Sequence, residues 1–126
     1  MEQARRHLFH DYKYGAKKRG YVFELSEERF VRLTLSDCFY CGCAPQQSYT
    51  PKVGGIRLEC VFYNGIDRRN NKVGYTEENS VSCCKYCNLA KSRWTEQEFL
   101  DWVQKISRYQ NKKYAKMRLL ELDKAS

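Results

Sequence analysis

Two Cys-x-x-Cys pairs constrain this chain more than any other feature of its sequence. The first pair is Cys38 and Cys41, and the second is Cys84 and Cys87. A two-residue gap lets one tight turn offer two thiolates to the same ion, and Zn²⁺ binds four such ligands in a closed tetrahedron. The spacing therefore predicts a structural four-cysteine zinc site. The alternatives are a pair of disulfides or ordinary buried thiols.

The odd number of cysteines favours a reducing compartment, where thiols bind metal. The chain has seven cysteines, and no apolar signal segment follows its first residues. We therefore expect an intracellular protein, and no apolar run reaches the roughly 18 residues that a membrane span needs. Cys43, Cys60 and Cys83 are expected to be plain thiols, although Cys43 or Cys83 lies close enough to a pair to replace one of its members.

The charge of the chain favours a polyanionic partner. Its formal net charge is +8, and an excess of this size attracts nucleic acid over a Debye length. A membrane surface fits less well, because the basic residues are spread through the chain and do not line one amphipathic helix. The alternative is a solvated basic surface with no partner.

The N-terminal segment predicts an amphipathic helix over residues 4–19. Leu8, Tyr12 and Ala16 recur at four-residue spacing, and Gly20 is a stop signal. The opposite face is basic, and it can lie along DNA phosphates or simply face solvent. Its residues are Arg5, Arg6, Lys13, Lys17, Lys18 and Arg19.

The next elements lead into the first cysteine pair. Residues 21–25 predict a short strand. Ser26 is a plausible N-cap for the helix that follows. That helix is expected to turn Phe30, Leu33 and Leu35 inward.

A hairpin is predicted between the two cysteine pairs. Residues 44–57 read as a loop because prolines and a Gly-Gly pair interrupt them. Residues 57–63 predict a strand, Asn64-Gly65 a turn, and residues 66–68 the returning strand. Residues 70–75 form a polar loop, and the chain then passes through Asn79 to the second cysteine pair.

Helices are expected to complete the chain. A short one should run from Lys85 to Lys91 or Ser92. Thr95 and Glu98 form a capping box for another. The apolar stripe of that helix is expected in a core and consists of Phe99, Trp102, Val103 and Ile106. Residues 111–125 read as a further basic helix or tail. The whole is predicted as a single domain, residues 1–126, with a leader over 1–37, a core over 38–92 and C-terminal helices over 95–126.

Asp67 and Asn88 are candidate ligands for a second metal ion. The predicted elements place Asp67 on the hairpin and Asn88 at a helix start, and both offer the oxygen ligands that Mg²⁺ or Mn²⁺ prefers. Such an ion can hold a scissile phosphate and activate water. The alternatives are an Asx-turn for Asp67 and a helix cap for Asn88.

Several motifs, taken in order, resemble the HNH endonuclease family. They are Cys38-x-x-Cys41-Gly42, Asn64-Gly65-Ile66-Asp67-Arg68, Gly74-Tyr75, Asn79, and Cys84-x-x-Cys87-Asn88-x-x-Lys91. The resemblance covers nearly all of residues 4–107 and is strongest to small phage-type and homing members. It implies an α+β fold with a zinc-stapled ββα-metal core, flanked by N- and C-terminal helices.

The resemblance also implies roles for single residues. Asp67 matches the first metal ligand of the family and Asn88 the final one. Asn79 matches the middle asparagine, which fixes the hairpin loop by hydrogen bonds. The zinc ligands would be the four paired cysteines.

Arg68 departs from the pattern of most of the family, which has a general-base histidine at this position. The resemblance implies that many relatives also have Asp-Arg here, which favours an active or weakly active nuclease. Arginine keeps its proton at neutral pH. Three interpretations are open: Arg68 holds the scissile phosphate while the metal activates water, another base such as His7 or His10 acts, or the domain binds DNA without cutting it.

The sequence thus predicts a DNA endonuclease or nickase with structural zinc and catalytic Mg²⁺ or Mn²⁺. The alternative is a non-catalytic zinc module that binds nucleic acid, and a weaker one is a protein-binding zinc ribbon. Residues outside the first helix that are expected to hold the DNA backbone are Arg68, Arg69, Lys72, Lys91 and Arg93. Tyrosines that are expected either to stack on DNA or to pack in the domain are Tyr40, Tyr63, Tyr75 and Tyr86.

Overall fold

Helices and small antiparallel sheets make up the part of the chain that the computed structural model describes, residues 2–125. This mixture confirms the predicted α+β class. The helices are α1 (Gln3–Lys18), α2 (Glu27–Leu35), α3 (Lys85–Lys91) and α4 (Glu96–Ala125). The strands are β1 (Gln47–Tyr49), β2 (Lys52–Val53), β3 (Ile56–Arg57), β4 (Val61–Tyr63), β5 (Gly65–Arg68) and β6 (Ser80–Cys83). Two compact units divide at Arg93 and Trp94.

An aromatic core holds α1 against α2 in the first unit. Leu8, Phe9 and Ala16 are buried on the predicted face of α1, and the Phe9 ring lies 5.4 Å from the ring of Phe30 in α2. Burial of each large apolar side chain among them, Leu8, Phe9 and Phe30, contributes about 1.5–3 kcal/mol. Tyr12, on the same face, reaches β5, where its hydroxyl accepts a hydrogen bond from the Ile66 amide at 3.3 Å. The core therefore supports the strand that carries Asp67.

The second helix begins where the sequence predicts. The Ser26 side chain accepts a hydrogen bond from the Arg29 amide at 3.1 Å, as an N-cap residue does. Phe30 and Leu33 are buried, but Leu35 is 52% exposed. The expectation that Leu35 turns inward is wrong, because Leu35 lies two residues after Leu33 and therefore about 200° around the helix from it.

The predicted strand over residues 21–25 is wrong. Only one isolated bridge forms in the described chain at this point, between Phe23 and Tyr75 in parallel orientation. The Tyr75 amide donates to the Val22 carbonyl at 2.9 Å, and the Glu24 amide donates to the Tyr75 carbonyl at 2.8 Å. The end of α1 and the cap of α2 leave too little extended chain for a longer ladder.

The predicted hairpin through Asn64-Gly65 is also wrong. β4 pairs with β1, whereas β5 pairs with β6, so neighbouring strands belong to different sheets. Asn64 forms no turn. Its side chain is 1% exposed and donates to the carbonyls of Ser36 and Cys43 at 2.9 and 3.2 Å. Because these partners are distant in sequence, tertiary contacts overrule the local turn preference of Asn-Gly.

The segment over residues 44–57 contains strands as well as loops. β1 pairs antiparallel with β4, with Gln47 opposite Tyr63. β2 and β3 form a short hairpin around Gly54 and Gly55, which both have positive φ. The prolines and glycines therefore separate short strands, where the sequence predicted a continuous loop.

Two strands and a helix bring the two cysteine-bearing segments together. β5 and β6 pair antiparallel, with Asp67 opposite Val81. β6 leads through Cys84 directly into α3. The Ser82 hydroxyl donates to the Leu33 carbonyl at 2.6 Å, which ties this pair of strands to the end of α2.

The second unit contains α4, one continuous helix in place of the predicted helix followed by a second helix or tail. The capping box is confirmed: the Glu98 amide donates to the Thr95 hydroxyl at 3.2 Å, and the Thr95 amide donates to the Glu98 carboxylate at 3.1 Å. The expectation of a buried stripe is wrong for all but Phe99, since Trp102, Val103 and Ile106 are each more than 40% exposed. No helix in the described residues is both long and apolar enough to cross a membrane.

Replacing Gly74 by alanine should destabilise the first unit. A Cβ at Gly74 would lie 2.6 Å from the Val22 carbonyl oxygen and 2.9 Å from the Val22 amide nitrogen. Both atoms belong to the backbone, so the chain itself would have to shift to relieve the overlap. We expect Gly74→Ala to lower the free energy of unfolding by about 1–3 kcal/mol, as measured by chemical denaturation. Gly15→Ala is the control. Its nearest neighbour would be an Arg19 nitrogen at 3.8 Å, so it should stabilise α1 by about 0.5–1 kcal/mol. Equal effects of the two substitutions would contradict this packing.

Candidate metal and nucleic-acid site

Four thiols meet where the end of α2 faces the junction of β6 and α3. The sulfur atoms of Cys38, Cys41, Cys84 and Cys87 all lie within 4.8 Å of one another, and those of Cys41 and Cys84 are 3.7 Å apart. A zinc tetrahedron with bonds of about 2.3 Å has sulfur–sulfur edges of about 3.8 Å. The cluster therefore has the composition and size to hold a zinc ion, and the predicted grouping of the cysteines is confirmed.

Local backbone geometry aims both cysteine pairs inward. In the first turn the Gly42 amide donates to the Cys38 carbonyl at 2.9 Å, and Gly42 adopts a positive φ of 78° that glycine tolerates. In the second, Cys84 is the N-cap of α3, and its sulfur accepts from the Cys87 amide at 3.4 Å. Burial opposes ionisation of Cys38, but hydrogen bonds from the Cys41, Cys84 and Tyr40 amides lower its pKa to about 6. Backbone amides thus favour the thiolate that a metal requires.

The three remaining cysteines lie outside the four-ligand cluster. Hydrogen bonding with the Cys41 thiol, with burial second, raises the pKa of Cys43 to about 12. Burial raises the pKa of the Cys83 thiol, and Cys60 is exposed. Burial also raises the pKa of Cys87, which belongs to the cluster, so these shifts do not distinguish the plain thiols from the ligands, and the plain-thiol role of Cys43, Cys60 and Cys83 stays a prediction.

Asp67 is a buried carboxylate beside this cluster. It is 6% exposed. The Tyr40 hydroxyl donates to its Oδ2 at 2.8 Å, and the Lys91 Nζ lies 3.3 Å from Oδ2 and 3.4 Å from Oδ1. Burial raises the pKa of the Asp67 carboxyl, whereas the hydrogen bond from Tyr40 and the charge of Lys91 act in the opposite direction, and the net shift is upward.

Lys91 lies in the protein interior, although the sequence analysis predicted that it contacts the DNA backbone. It is 1% exposed, and besides pairing with Asp67 it donates to the Arg68 carbonyl at 3.0 Å. This position does not offer its ammonium group to an external phosphate. Asn88 lies three residues earlier in α3, on the same side of the helix, and is exposed.

Arg68 and Asn79 both bind the loop that joins β5 to β6. The Arg68 guanidinium lies 3.7 Å from the centre of the Tyr21 ring and donates to the carbonyls of Asn71 and Val73. The Asn79 amide donates to the carbonyls of Asn70, Val73 and Gly74 at 2.9–3.1 Å, and its oxygen accepts from the Asn70 amide at 2.9 Å. These bonds fix the loop, which is the contact pattern that the resemblance implies for the middle asparagine.

The two histidines lie on α1, and their described partners are Tyr49 and Phe9. His7 Nδ1 lies 2.7 Å from the Tyr49 hydroxyl, and the His10 ring packs on Phe9. The described contacts bring neither histidine to Asp67.

Many of the predicted DNA contacts are exposed basic groups, and some of them already have protein partners. Arg5 pairs with Glu2 at 2.6 Å, and Arg6 pairs with Glu27 at 2.9 Å. Arg19 donates to the Tyr75 hydroxyl at 3.3 Å. The exposed members of the predicted set are Arg6, Lys13, Lys17, Lys18, Arg19, Arg69, Lys72 and Arg93.

The tyrosines that the sequence placed near the cysteines have different environments. Tyr75 is 6% exposed and belongs to the core. Tyr63 is partly buried and packs against that core. Tyr40 binds Asp67. Tyr86, on α3, is 75% exposed and is the member of this set that is most accessible for stacking on a ligand.

Tyr40 and Lys91 are the site residues whose role the sequence did not reveal. Both residues lie close to motifs in the sequence: Tyr40 is inside the first Cys-x-x-Cys turn, and Lys91 is three residues after Asn88. The three-residue spacing on a helix places Lys91 on the same side as Asn88. It did not indicate that the lysine side chain would be buried against a carboxylate.

The four-cysteine cluster should hold one zinc ion per chain. We expect Cys84→Ser to remove zinc and to lower the melting temperature, because a structural zinc site contributes directly to folding. Elemental analysis and thermal denaturation measure both effects. Cys60→Ser is the control, since Cys60 is exposed and outside the cluster, and it should leave both unchanged. Full zinc content in Cys84→Ser would contradict the assignment.

Replacing Lys91 by methionine should destabilise the protein in a pH-dependent way. The substitution leaves the buried Asp67 carboxylate without its cation, which costs about 3–5 kcal/mol at neutral pH. Because the pKa of Asp67 is already raised and would rise further, the cost should shrink as the pH falls and the carboxyl becomes protonated. Denaturation at several pH values measures this.

Two further variants control the Lys91 experiment. Lys85→Met removes an exposed charge from the same helix and should be nearly neutral. The double variant Lys91→Met with Asp67→Asn should recover much of the lost stability. A pH-independent loss would show that lost packing, and not the buried charge, dominates.

Comparisons with known proteins support the fold. No family model matches the chain. The uncharacterized protein R423 of Acanthamoeba polyphaga mimivirus is 33% identical over 98 residues, which cover 78% of this chain and 16% of that protein, so the chain spans a small part of this relative. The rare-cutting HNH restriction endonuclease PacI matches in structure with a TM-score of 0.58 and 20% identity over 83% of this chain and 78% of that one. The fold of this chain is therefore similar to that of an HNH endonuclease.

Proposed function

We propose that this protein is a metal-dependent DNA endonuclease or nickase with a zinc-stapled ββα-metal core. In this proposal β5, β6 and α3 form the core, and the four-cysteine cluster braces it. The observation that carries the proposal is the buried Asp67 carboxylate on β5, which binds the Tyr40 hydroxyl and the Lys91 ammonium group of α3. A buried carboxylate with a perturbed pKa marks a candidate functional site.

Asp67 and Asn88 would supply the oxygen ligands of the catalytic cation. Carboxylate and amide oxygens suit Mg²⁺ or Mn²⁺, which fill their remaining positions with water and substrate phosphate. Tyr40 donates to Oδ2 of Asp67 and the Lys91 ammonium lies near both carboxylate oxygens, so any ion would approach the remaining lone pairs. When bound, such a cation would lower the pKa of a water molecule and stabilise the leaving oxygen.

The other residues of the site would position these groups. Tyr40 holds the Asp67 carboxylate in orientation by its hydrogen bond. The positive charge of Lys91 favours the ionised form of that carboxylate and opposes the rise in pKa that burial causes. Asn79 and Arg68 hold the loop that follows β5, so in this proposal Arg68 acts on the protein backbone and not as a base.

Two properties of the protein, its net charge and its fold, support DNA as the proposed substrate. The net charge of +8 favours a polyanion. The name of PacI describes a restriction endonuclease, and its fold is similar to this one. Exposed Lys17, Lys18, Lys72 and Arg93 are free of the ion pairs described for Arg5 and Arg6, and they would contact the DNA backbone.

A non-catalytic zinc module that binds nucleic acid is the second candidate. Two observations favour it. Arg68 stands where the family has a base and is engaged with Tyr21, Asn71 and Val73, and the Lys91 ammonium already neutralises Asp67. In this case Asp67 and Lys91 would form a structural ion pair in the core.

A plasmid-nicking assay tests the proposed activity. We expect the zinc-loaded protein to nick supercoiled DNA with Mg²⁺ or Mn²⁺, and Asp67→Ala and Asn88→Ala each to lower the rate at least roughly 100-fold, because each removes a cation ligand. Asp123→Ala and Asn111→Ala, two exposed helical positions, are matched controls and should retain activity. A fully zinc-loaded protein that binds DNA and nicks it in neither metal would favour the second candidate.

Replacing Arg68 by histidine separates the two candidates. If Arg68 supports the loop of an active nuclease, Arg68→His should lower the melting temperature and should not raise nicking, because it loses the bonds to Asn71 and Val73. The neighbouring substitution Arg69→His, at an exposed position, controls for a new histidine. Strongly increased cleavage by Arg68→His would mean that the natural site is degenerate.

A further inference from the structure

A line of exposed side chains runs along α4 and lacks an explanation in the proposed nuclease. We define the α4 seam as Trp102, Ile106, Tyr109, Lys113, Met117 and Leu120. Successive members are three or four residues apart, so at 3.6 residues per turn they lie within an arc of about 80° on one side of the helix. The five apolar members are each 46–65% exposed.

This exposure is unusual for a helix of this length. α4 has 30 residues and spans about 45 Å, and helices depend mainly on the packing of an apolar face for their stability. An exposed apolar stripe with polar neighbours marks an interaction surface. Trp102 and Tyr109 are residue types that often carry most of the binding energy at interfaces.

The spacing of the seam is self-complementary when two copies of α4 run antiparallel. With the two-fold axis beside Tyr109, Trp102 of one copy faces Met117 of the other, and Ile106 faces Lys113. Val103 then lies beside Tyr114 of the second copy. Each contact occurs twice, as a two-fold interface requires.

Charge selects the antiparallel arrangement over the parallel one. In a parallel pair Lys113 would face Lys113, which is repulsive, whereas in an antiparallel pair the lysine stem can pack on Ile106 and extend its ammonium group to solvent. An antiparallel pair in this register also sets Asp101 of one helix beside the basic residues Lys116 and Arg118 of the other.

We propose that α4 is a self-association surface and that two copies of this protein pair along the α4 seam in antiparallel orientation. The exposure, spacing and charge of α4 alone define this surface, so the proposed pairing does not depend on whether the protein cleaves DNA.

Sedimentation equilibrium of the full zinc-loaded chain tests the seam with two adjacent leucines. Leu120 lies on the seam and is 53% exposed, whereas Leu119 lies off it and is 63% exposed. We expect a dimer whose dissociation constant rises at least about tenfold in Leu120→Glu, because a charge would enter an apolar interface. Leu119→Glu should change it by no more than about twofold. Helix content, followed by circular dichroism, should be equal in the two variants.

A charge swap tests the antiparallel orientation. In the proposed pair Asp101 lies near Lys116 of the second copy, whereas within one helix the two positions are about 22 Å apart. Asp101→Lys and Lys116→Asp should each weaken the dimer about threefold to tenfold, since two exposed pairs are lost per dimer. The double variant should restore wild-type association, which no contact within one chain can produce.

Three results would overturn the proposal. They are a chain that stays monomeric throughout the concentration series, equal effects of Leu119→Glu and Leu120→Glu, and no rescue in the charge-swap double variant. A monomer whose affinity for duplex DNA falls in Lys112→Ser and Lys116→Ser would assign α4 to DNA instead.

Discussion

The approach of four thiols from two distant segments is the constraint on which the first unit depends. Cys38 and Cys41 follow α2, while Cys84 and Cys87 open α3, and their sulfurs come within 4.8 Å of one another. A unit of this size has a modest core, and a metal ion held by these thiols would supply folding free energy that apolar burial alone would not. The same junction orients α3 against β5, so the cluster determines where Lys91 meets Asp67.

Packing beneath the cluster is polar as well as apolar. The aromatic core of α1 and α2 supports β5 through Tyr12, and the buried Asn64 amide joins the end of α2 to the first cysteine turn. Because buried amide groups need their hydrogen bonds, Asn64 specifies one arrangement of these segments more strongly than an apolar residue would. The Asp67 carboxylate is thus held by a scaffold with few alternatives.

Short-range patterns predicted the helices and the cysteine cluster well, because caps and ligand spacing are local. Ser26 and the Thr95–Glu98 box both cap helices as their sequence implies. Strand pairing was predicted poorly, because partners such as Gln47 and Tyr63 are distant in sequence and a three-residue strand has almost no pattern of its own. The burial of Lys91 was beyond sequence reasoning, since a lysine on a short polar helix normally faces solvent. The apolar residues of α4 were recognised, but periodicity alone cannot tell whether a stripe faces its own core or a second molecule.

The central claim is that the cysteine cluster holds one metal ion and thereby presents Asp67 and Asn88 to a second one. Anomalous diffraction from crystals of the zinc-loaded protein soaked in Mn²⁺ tests it directly, with data collected at the zinc and manganese absorption edges. We expect a zinc peak among the four sulfurs and a separate manganese peak within ligand distance of the Asp67 carboxylate and the Asn88 amide oxygen. A zinc-loaded crystal with no manganese beside Asp67, and with Lys91 still paired to that carboxylate, would contradict it.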